Sequence, residues 1–402
     1  MTKNDSLFRN RTFNLLIIAG IFAVLGFSVF LTTTTWYAVT VLGSAGSLGL
    51  ILIAATVPRL IMMTFGGVLA DRYKKTTIMF STNLIQSILL LILFILLVMD
   101  QLNLTWILVL SGLFGALDAF FGPASSAMIP TIVKKHQLQK ANAYFQGVDQ
   151  LAFIGGPILA GVIMEVASIE MSYLVATILV FLSAAFIFPP FIQEAAAEEN
   201  EKATPLQNLK DGFSYLRKSR FLTVGILILI TMNFFVFGAL HIAVPILVEL
   251  FDGSPIHLSL LESFQIVGML ISTMILSFVK INRKGLVSTF GLFATLISAL
   301  IFSQVSNLIV LIVIGFFIGF AMSFVYIPFF TAAQEQTDSR LMGRVMSIIF
   351  LAMNGFDPLA YGLVSMLTAI GIHVQYVLLA FSLIGLLLAT IIALTAKEYV
   401  RN

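Results

Sequence analysis

Residues 67–75 read GVLADRYKK, and this stretch decides the fold. It places Arg72, Lys74 and Lys75 in a turn between two long apolar segments. Farther along the chain in both directions, every Lys and Arg except Arg59 falls in one of seven such clusters. Each pair of consecutive clusters leaves room for two membrane crossings, and the turn between those crossings carries no Lys or Arg. This positive-inside pattern predicts a multi-pass membrane protein with both termini in the cytoplasm.

The composition also requires a membrane, since 59% of the residues are hydrophobic and only 10% are charged. A soluble protein needs far more charge on its surface than this. The net charge of +3 reflects membrane topology, so we expect no nucleic-acid partner. The chain has no Cys, which excludes disulfides and thiol chemistry.

The apolar runs predict an all-α membrane protein with twelve transmembrane helices, because a span needs about 20 apolar residues. The predicted helices lie at about 12–40, 47–70, 77–99, 104–128, 141–166, 171–192, 221–250, 257–279, 286–304, 308–330, 343–369 and 374–396.

Two halves of the chain resemble each other. GGPILAG at 155–161 matches FDPLAYG at 356–362. We therefore predict an N-terminal six-helix bundle at 1–192, a cytoplasmic connector with an amphipathic helix at 193–220, and a C-terminal six-helix bundle at 221–402. Such pseudo-symmetric repeats favour alternating access, with binding near the midplane between the bundles.

Two motifs carry a resemblance to a known family. GVLADRYKK resembles the helix 2–3 signature of the major facilitator superfamily, although Lys74 stands where the signature has its second glycine. LDAFFGPASSAMIP at 117–130, followed by LQKANA at 138–143, resembles the branch of drug:proton antiporters that contains macrolide exporters and the enterobactin exporter. The resemblance covers essentially the whole chain and implies the major facilitator fold.

The resemblance also implies a contact between helices 2 and 11 at the cytoplasmic side. We hypothesise a conformational latch in which Asp71 bonds to Arg344 and stabilises the outward-facing state. The latch residues are Gly67, Asp71, Arg72, Lys75, Gly343 and Arg344. Alternatively, the cations only set the topology and Asp71 is solvated.

Proline and glycine mark two predicted helix kinks. Gly156 and Pro157 resemble a motif typical of exporters, and Pro358 occupies the matching place in the second half. Proline removes a backbone donor and bends a helix. Bending without any link to transport direction is the alternative.

Four charged residues lie deep within predicted spans, away from their ends: Arg59, Asp118, Asp149 and Asp357. Such a charge costs about 2.5–3.5 kcal/mol at the helix centre and marks a functional position by default. One cation cannot pair with three acids, and an unpaired carboxylate at low dielectric binds a proton more readily. We predict that Asp118 and Asp149 couple transport to protons, with Arg59 as modulator and Asp357 as a further candidate. A structural Arg–Asp pair, and an Asp357 that caps the helix around Pro358, are alternatives.

Aromatic and polar residues on helices 1, 4, 7 and 10 predict a substrate cavity for amphipathic, including cationic, compounds. The predicted cavity residues are Thr34, Trp36, Tyr37, Phe121, Asn233, Phe234, Phe320 and Tyr326. With 37 Phe in the chain, many must instead face lipid.

Together these observations predict a proton-coupled exporter of small amphipathic compounds or drugs, with the proton gradient as energy source and no cofactor or metal. Export of a siderophore or another natural product is the alternative. An enzyme or receptor is disfavoured, because the four His residues form no recognisable metal cluster and no nucleotide-binding loop exists. We expect a monomer in a bacterial plasma membrane, with substrate, protons and the lipid bilayer as partners.

Overall fold

The computed structural model describes residues 7–192, 213–337 and 341–401, apart from the side chains of 64–72, 135, 139, 343, 400 and 401. Twelve helices within these residues are long and apolar enough to cross a membrane. This confirms the predicted all-α architecture of twelve membrane helices.

The first six spanning helices keep close to their predicted places. They are α1 Arg11–Thr40, α2 Ala45–Arg72, α3 Lys75–Val98, α4 Leu104–Ile132, α5 Leu138–Val166 and α6 Ile169–Phe186. α6 ends before its predicted limit at 192, and a short 3₁₀ turn follows at Pro189–Phe191. The consecutive prolines Pro189 and Pro190 explain this, since proline cannot continue the hydrogen-bonding of a helix.

The other spanning helices are α7 Arg220–Leu250, α8 Pro255–Phe278, α9 Lys284–Phe302, α10 Leu308–Gln336, α11a Met342–Asn354, α11b Asp357–Ala369 and α12 Val374–Thr395. A π-helical segment, Asn233–Gly238, interrupts α7. The predicted helix at 343–369 is broken at Gly355 and Phe356, so Pro358 lies in the first turn of α11b, where proline is well tolerated. A short helix, α13, follows at Lys397–Arg401.

Polar caps fix the starts of several helices. The side chains of Asn103, Ser168, Ser219 and Asn307 accept hydrogen bonds from backbone N–H groups in the first turns of α4, α6, α7 and α10. These bonds satisfy donors that have no partner within the helix. The caps therefore explain why these four helices begin close to the predicted positions.

The chain divides into two compact units. The first contains Met1–Tyr37 and Ile51–Lys202, and the second contains Ala38–Leu50 and Ala203–Asn402. The predicted boundaries did not assign 38–50 to the second half. Gly49 explains the grouping, because a Cβ there would lie 2.0 Å from Ser365 Oγ in α11b of the same unit.

The predicted amphipathic helix of the connector is described only from residue 213 onward, where 213–218 is helical. Tyr215 donates a hydrogen bond to the carbonyl oxygen of Gln336 at 2.8 Å, and Leu216 is buried. The amphipathic pattern of the connector also places Leu206 and Leu209 on the apolar face of this helix. Both residues lie outside the described part of the chain.

Hydrogen bonds between buried side chains tie α1, α3 and α6 together in the first unit. Thr33 and Ser172 share a hydrogen bond of 2.6 Å. Asn83 Nδ2 donates to Ser183 Oγ at 2.6 Å, and Ser183 Oγ in turn donates to the Ala19 carbonyl oxygen at 2.7 Å. Such bonds hold membrane helices together, because lipid supplies no hydrophobic force between them.

A glycine crossing brings α2 and α4 into backbone contact. A Cβ at Gly115 would lie only 1.9 Å from the Ala55 carbonyl oxygen, and one at Gly112 would lie 3.3 Å from the Ala54 carbonyl oxygen. Small residues permit this approach in membrane helices. The crossing fixes the positions of the side chains one turn farther along both helices.

The second unit has an equivalent crossing of α8 and α10. A Cβ at Gly319 would lie 1.8 Å from the Gln265 carbonyl oxygen, and one at Gly268 would lie 2.0 Å from the Phe316 carbonyl oxygen. The repeat predicted from the sequence is therefore also present in the contacts between helices.

We predict that Gly115→Ala destabilises the protein by about 1–3 kcal/mol, because its Cβ forces two helix backbones apart. The control is Gly147→Ala, since a Cβ at this α5 position meets no atom within 4 Å. Thermal unfolding of the purified protein should show a lower melting temperature for Gly115→Ala only. Equal melting temperatures for the two variants would contradict the close crossing.

Candidate functional site

Arg59 and Asp118 form an ion pair one helical turn beyond the α2–α4 crossing. Arg59 follows Ala55 by four residues and Asp118 follows Gly115 by three, so both side chains lie on the crossing face. Arg59 Nε is 3.0 Å from Asp118 Oδ2. The pair lies about 18 Å along α2 from Asp71, at the rise of 1.5 Å per residue. It is therefore deep within the span.

The guanidinium of Arg59 is also held by an aromatic ring. Its Cζ lies 5.2 Å from the centroid of Phe27, which is within cation–π range. The Phe27 ring packs in turn against Phe114 and Phe153, with centroids 6.2 and 6.4 Å away. Three helices besides α2 thus fix this one side chain: α1, α4 and α5.

The second unit lacks charge at the matching position. Counting from its own crossing, Met269 follows Gln265 by four residues and Met322 follows Gly319 by three. Gln265 Nε2 lies 3.7 Å from Met322 Sδ. The same backbone geometry therefore forms around uncharged side chains.

Asp149 lies on α5 beside α1. A Cβ at Gly20 would be 3.7 Å from its Oδ1 and 3.4 Å from the Phe145 ring. Asp149 is half-buried, and no cation among the described residues lies within salt-bridge distance of it. It differs in this respect from Asp118.

Asp357 is the most buried of the three acids, with only 4% of its surface exposed. It is the first residue of α11b, and its Cα would lie 3.8 Å from a Cβ at Gly238 in the π-helical segment. Its Oδ1 is buried without a hydrogen-bond partner in the described part of the chain. No cation there pairs with it either.

The π-helical segment of α7 begins at a buried polar pair. Tyr326 of α10 donates to Asn233 Oδ1 at 2.8 Å, and Asn233 Nδ2 donates to the Leu229 carbonyl oxygen at 2.9 Å. Both side chains are more than nine-tenths buried. π-Helical turns occur frequently at functional sites. Two predicted cavity residues are thus brought together in the unit that contains Asp357.

Three of the other predicted cavity residues pack against neighbours within one unit, with Thr34 and Phe121 buried and Phe234 half-buried. Tyr173 of α6 donates to Thr34 Oγ1 at 3.0 Å, Phe121 belongs to a buried cluster with Phe13 and Met128, and Phe234 stacks on Phe381 of α12 at 5.7 Å. These contacts explain the positions of Thr34, Phe121 and Phe234 by packing alone. Their contact with substrate stays a prediction that no distance here supports.

Three further cavity residues complete the set. Trp36 and Tyr37 are buried near the C-terminal end of α1. Phe320 lies between Phe316 and Phe324 in a row of rings along α10, with centroids 6.2 and 5.7 Å away. Phe320 is half-buried, so it retains a face for other contacts.

Most of the predicted latch falls outside the described side chains. This applies to Gly67, Asp71, Arg72 and Gly343. Lys75 and Arg344 are half-buried and each has an interaction partner. The latch therefore stays a prediction.

The predicted kink residues have different surroundings. A Cβ at Gly156 would lie 2.3 Å from Ser28 Cβ, so this glycine lets α5 approach α1. α5 continues through Pro157, whereas α11 is broken just before Pro358.

His241 belongs to no motif in the sequence. Its place toward the end of the predicted span 221–250 predicts a solvated side chain. The structure instead places its ring half-buried beside Phe237 and Tyr361, with centroids 4.4 and 5.9 Å away. Its Nδ1 lies 3.1 Å from the Phe237 carbonyl oxygen. Among the described residues, no group of three His, Asp or Glu side chains is arranged to hold a metal ion.

Two pseudo-equivalent units of membrane helices with charges inside the spans are the architecture of a transporter. Residues 16–360 match the Major Facilitator Superfamily, and the chain belongs to this superfamily.

Proteins similar to this chain occur in several bacteria. The chain is 26% identical to the uncharacterised MFS-type transporter YvqJ of Bacillus subtilis, over 88% of this chain and 85% of that protein. It is 24% identical to macrolide efflux protein A of Streptococcus pyogenes, over 76% of each chain. It is 23% identical to the staphyloferrin A transporter of Staphylococcus aureus, over 87% of each. These relatives are transporters and not enzymes.

A solved structure supports the fold. A mutant of the nucleoside transporter NupG superimposes with a TM-score of 0.74 at 15% identity, covering 95% of this chain and 98% of that chain. At this identity the likeness shows the fold alone.

We predict that Tyr326→Phe lowers the stability by about 1–3 kcal/mol, because Asn233 Oδ1 loses its donor in a buried site. Tyr376→Phe is the control, since Tyr376 is 68% exposed. The melting temperatures of the two variants provide the measurement. If Tyr326→Phe unfolds at the wild-type temperature, the hydrogen bond contributes nothing to the fold around the π-helical segment.

Proposed function

We propose that this transporter exports small amphipathic compounds in exchange for protons. The observation that carries the proposal is a difference in surroundings among the three acids within the spans. Asp118 has a cation at 3.0 Å, whereas Asp149 and Asp357 have none among the described residues. A charged carboxylate without a partner is costly in the membrane interior, and a bound proton removes that cost.

Asp357 is the acid that we assign first to proton coupling. It is more deeply buried than Asp149, and its Oδ1 has no hydrogen-bond donor within the described chain. It also lies against the π-helical segment of α7 and at the break in α11. Irregular backbone in spanning helices is typical of places where transporters bind ions and change conformation. Loss or gain of the charge on Asp357 would therefore act on two places where the helical backbone is irregular.

Asp149 is the second candidate for proton coupling. It lies on the helix that contains Gly156 and Pro157, and Gly156 packs closely on α1. Asp118 is the least suited of the three, because Arg59 already balances its charge. In this proposal, Arg59 and Asp118 take part in binding rather than in proton exchange.

The direction of transport rests on relatives and on topology. Macrolide efflux protein A is an efflux protein by name, and GGP at 155–157 resembles an exporter motif. The clustering of Lys and Arg favours cytoplasmic termini, and the relatives named above are bacterial proteins. Alternating access by a monomer, with Asp71 and Arg344 as the cytoplasmic latch, completes the proposal.

Export of a natural product such as a siderophore is the second candidate function. The staphyloferrin A transporter is among the relatives. The exposed part of the Arg59 side chain also favours a cargo that carries an anionic group. The two candidates differ in cargo and share the same coupling.

We predict that inverted vesicles containing the protein take up amphipathic dyes when their interior is acidic, and that a protonophore abolishes this uptake. Asp357→Asn should reduce gradient-driven uptake about tenfold or more, because a neutral side chain cannot exchange a proton. Asp149→Asn should have a smaller effect. The measurement is dye accumulation against the imposed pH difference.

Asp100→Asn provides the matched control, since Asp100 lies in a turn at φ 53°, a conformation that asparagine tolerates well. Uptake that ignores the pH difference would exclude proton antiport. Full gradient-driven uptake by both Asp357→Asn and Asp149→Asn would refute the assignment of these acids.

A further inference from the structure

Arg59 has more hydrogen-bonding capacity than its ion pair uses. A guanidinium carries five N–H donors. Arg59 Nε lies 3.0 Å from Asp118 Oδ2 as an ion pair but makes no hydrogen bond, and neither Nη1 nor Nη2 makes a hydrogen bond to the described residues. Nε is fully buried, whereas the side chain as a whole keeps 40% of its surface exposed. The exposure therefore belongs to the rest of the side chain, which ends in Nη1 and Nη2.

The exposed end of this side chain cannot face hydrocarbon without a large penalty. It must meet water or a polar group, so the fork formed by Nη1 and Nη2 is open to a ligand. Asp118 holds one edge of the guanidinium and Phe27 covers one face, at 3.0 and 5.2 Å. These two contacts fix the orientation of the remaining edge before any ligand arrives.

Packing alone does not explain the charge pair. The α8–α10 crossing has an equivalent close contact, Gly319 against the Gln265 carbonyl oxygen, but carries Met269 and Met322 in place of Arg59 and Asp118. Buried ion pairs are commonly no more stabilising than apolar residues of similar volume. A pair of methionines would thus suffice for the fold at the α2–α4 crossing as well.

We infer that the Nη1/Nη2 fork of Arg59 binds a carboxylate group of the transported compound, with Asp118 as a positioning residue. This rests on the proposed function, because the compound is the one that the protein exports. A planar guanidinium fork matches a carboxylate with two parallel hydrogen bonds, a geometry that lysine cannot offer. The Phe27 ring and its aromatic neighbours then suit the apolar part of the same molecule. The preferred cargo is therefore an amphipathic compound with a free carboxylate.

The test compares two ligands that differ only in this group: a rhodamine dye with a free benzoate, and its ethyl ester. Binding to the full-length protein in lipid nanodiscs is followed by fluorescence anisotropy. We expect the wild-type protein to bind the benzoate about tenfold more tightly or better, which is the usual effect of hydrogen bonds to a charged group. Equal binding of the two dyes, including no binding of either, would overturn the inference.

Arg59→Met/Asp118→Met copies the uncharged pair of the second unit and removes the fork without leaving an unpaired charge. It should unfold within a few degrees of wild type and bind both dyes equally. Arg59→Lys keeps the charge but lacks the fork, so its preference for the benzoate should fall several-fold. A full preference in either variant would assign recognition to another residue.

Arg220→Met/Glu398→Met is the matched control, because it removes an exposed Arg–Glu pair with N–O distance 3.1 Å. It should keep the wild-type preference for the benzoate. Different experimental results would contradict the inference and the proposed function. Dye uptake without gradient dependence removes proton coupling and leaves the binding preference intact, whereas equal dye binding with gradient-driven uptake removes only the carboxylate site.

Discussion

Inside a bilayer no water is available to satisfy a backbone group or to solvate a charge, so polar groups in a span must find partners within the protein. Many buried side chains of this transporter follow that constraint, although eight buried polar atoms of the described residues, Asp357 Oδ1 among them, have no hydrogen-bond partner. Asn83 and Ser183 join three helices by hydrogen bonds, Asn233 accepts from Tyr326, and Arg59 pairs with Asp118. Where the described residues supply no partner, as for Asp357 Oδ1, the exception calls for a functional explanation.

Close helix approach decides which of these polar groups can meet. Gly112 and Gly115 allow α4 to touch the backbone of α2, and this crossing brings Asp118 within reach of Arg59. Local sequence shows that both charges lie in spans but does not show which helices cross, or at which residue. The Arg59–Asp118 ion pair therefore depends on the tertiary fold. Small residues at the helix crossing bring the two charges together.

The twelve spans were predictable because apolar length and the placement of cations are local signals. Pro358 predicted a kink in this region, but the exact break at Gly355 and Phe356 and the π-helical segment of α7 were not predictable. The interruption at Gly355 and the π-helical segment after Met232 depend on neighbours, since Gly238 packs against Ala360 and Asn233 bonds to Tyr326. For the site, residue type identified the charged positions and left their pairing open. Residue type also led to the prediction that Thr34 and Phe234 line a substrate cavity. Packing between helices explains the positions of both, and their contact with substrate stays a prediction.

In our proposal, the recognition of charge and the main site of proton exchange belong to different units of the chain. An acid next to a fixed guanidinium can stay charged at little cost, so Asp118 is suited to hold Arg59 in place. An acid with no cation has no such support, and its charge must be removed by a proton or balanced by a ligand. Asp357 is in that position among the described residues, and it lies in the unit whose own crossing carries methionines. A transporter that uses one unit to recognise charge and the other to exchange it avoids direct competition between the cargo and the proton at a single residue.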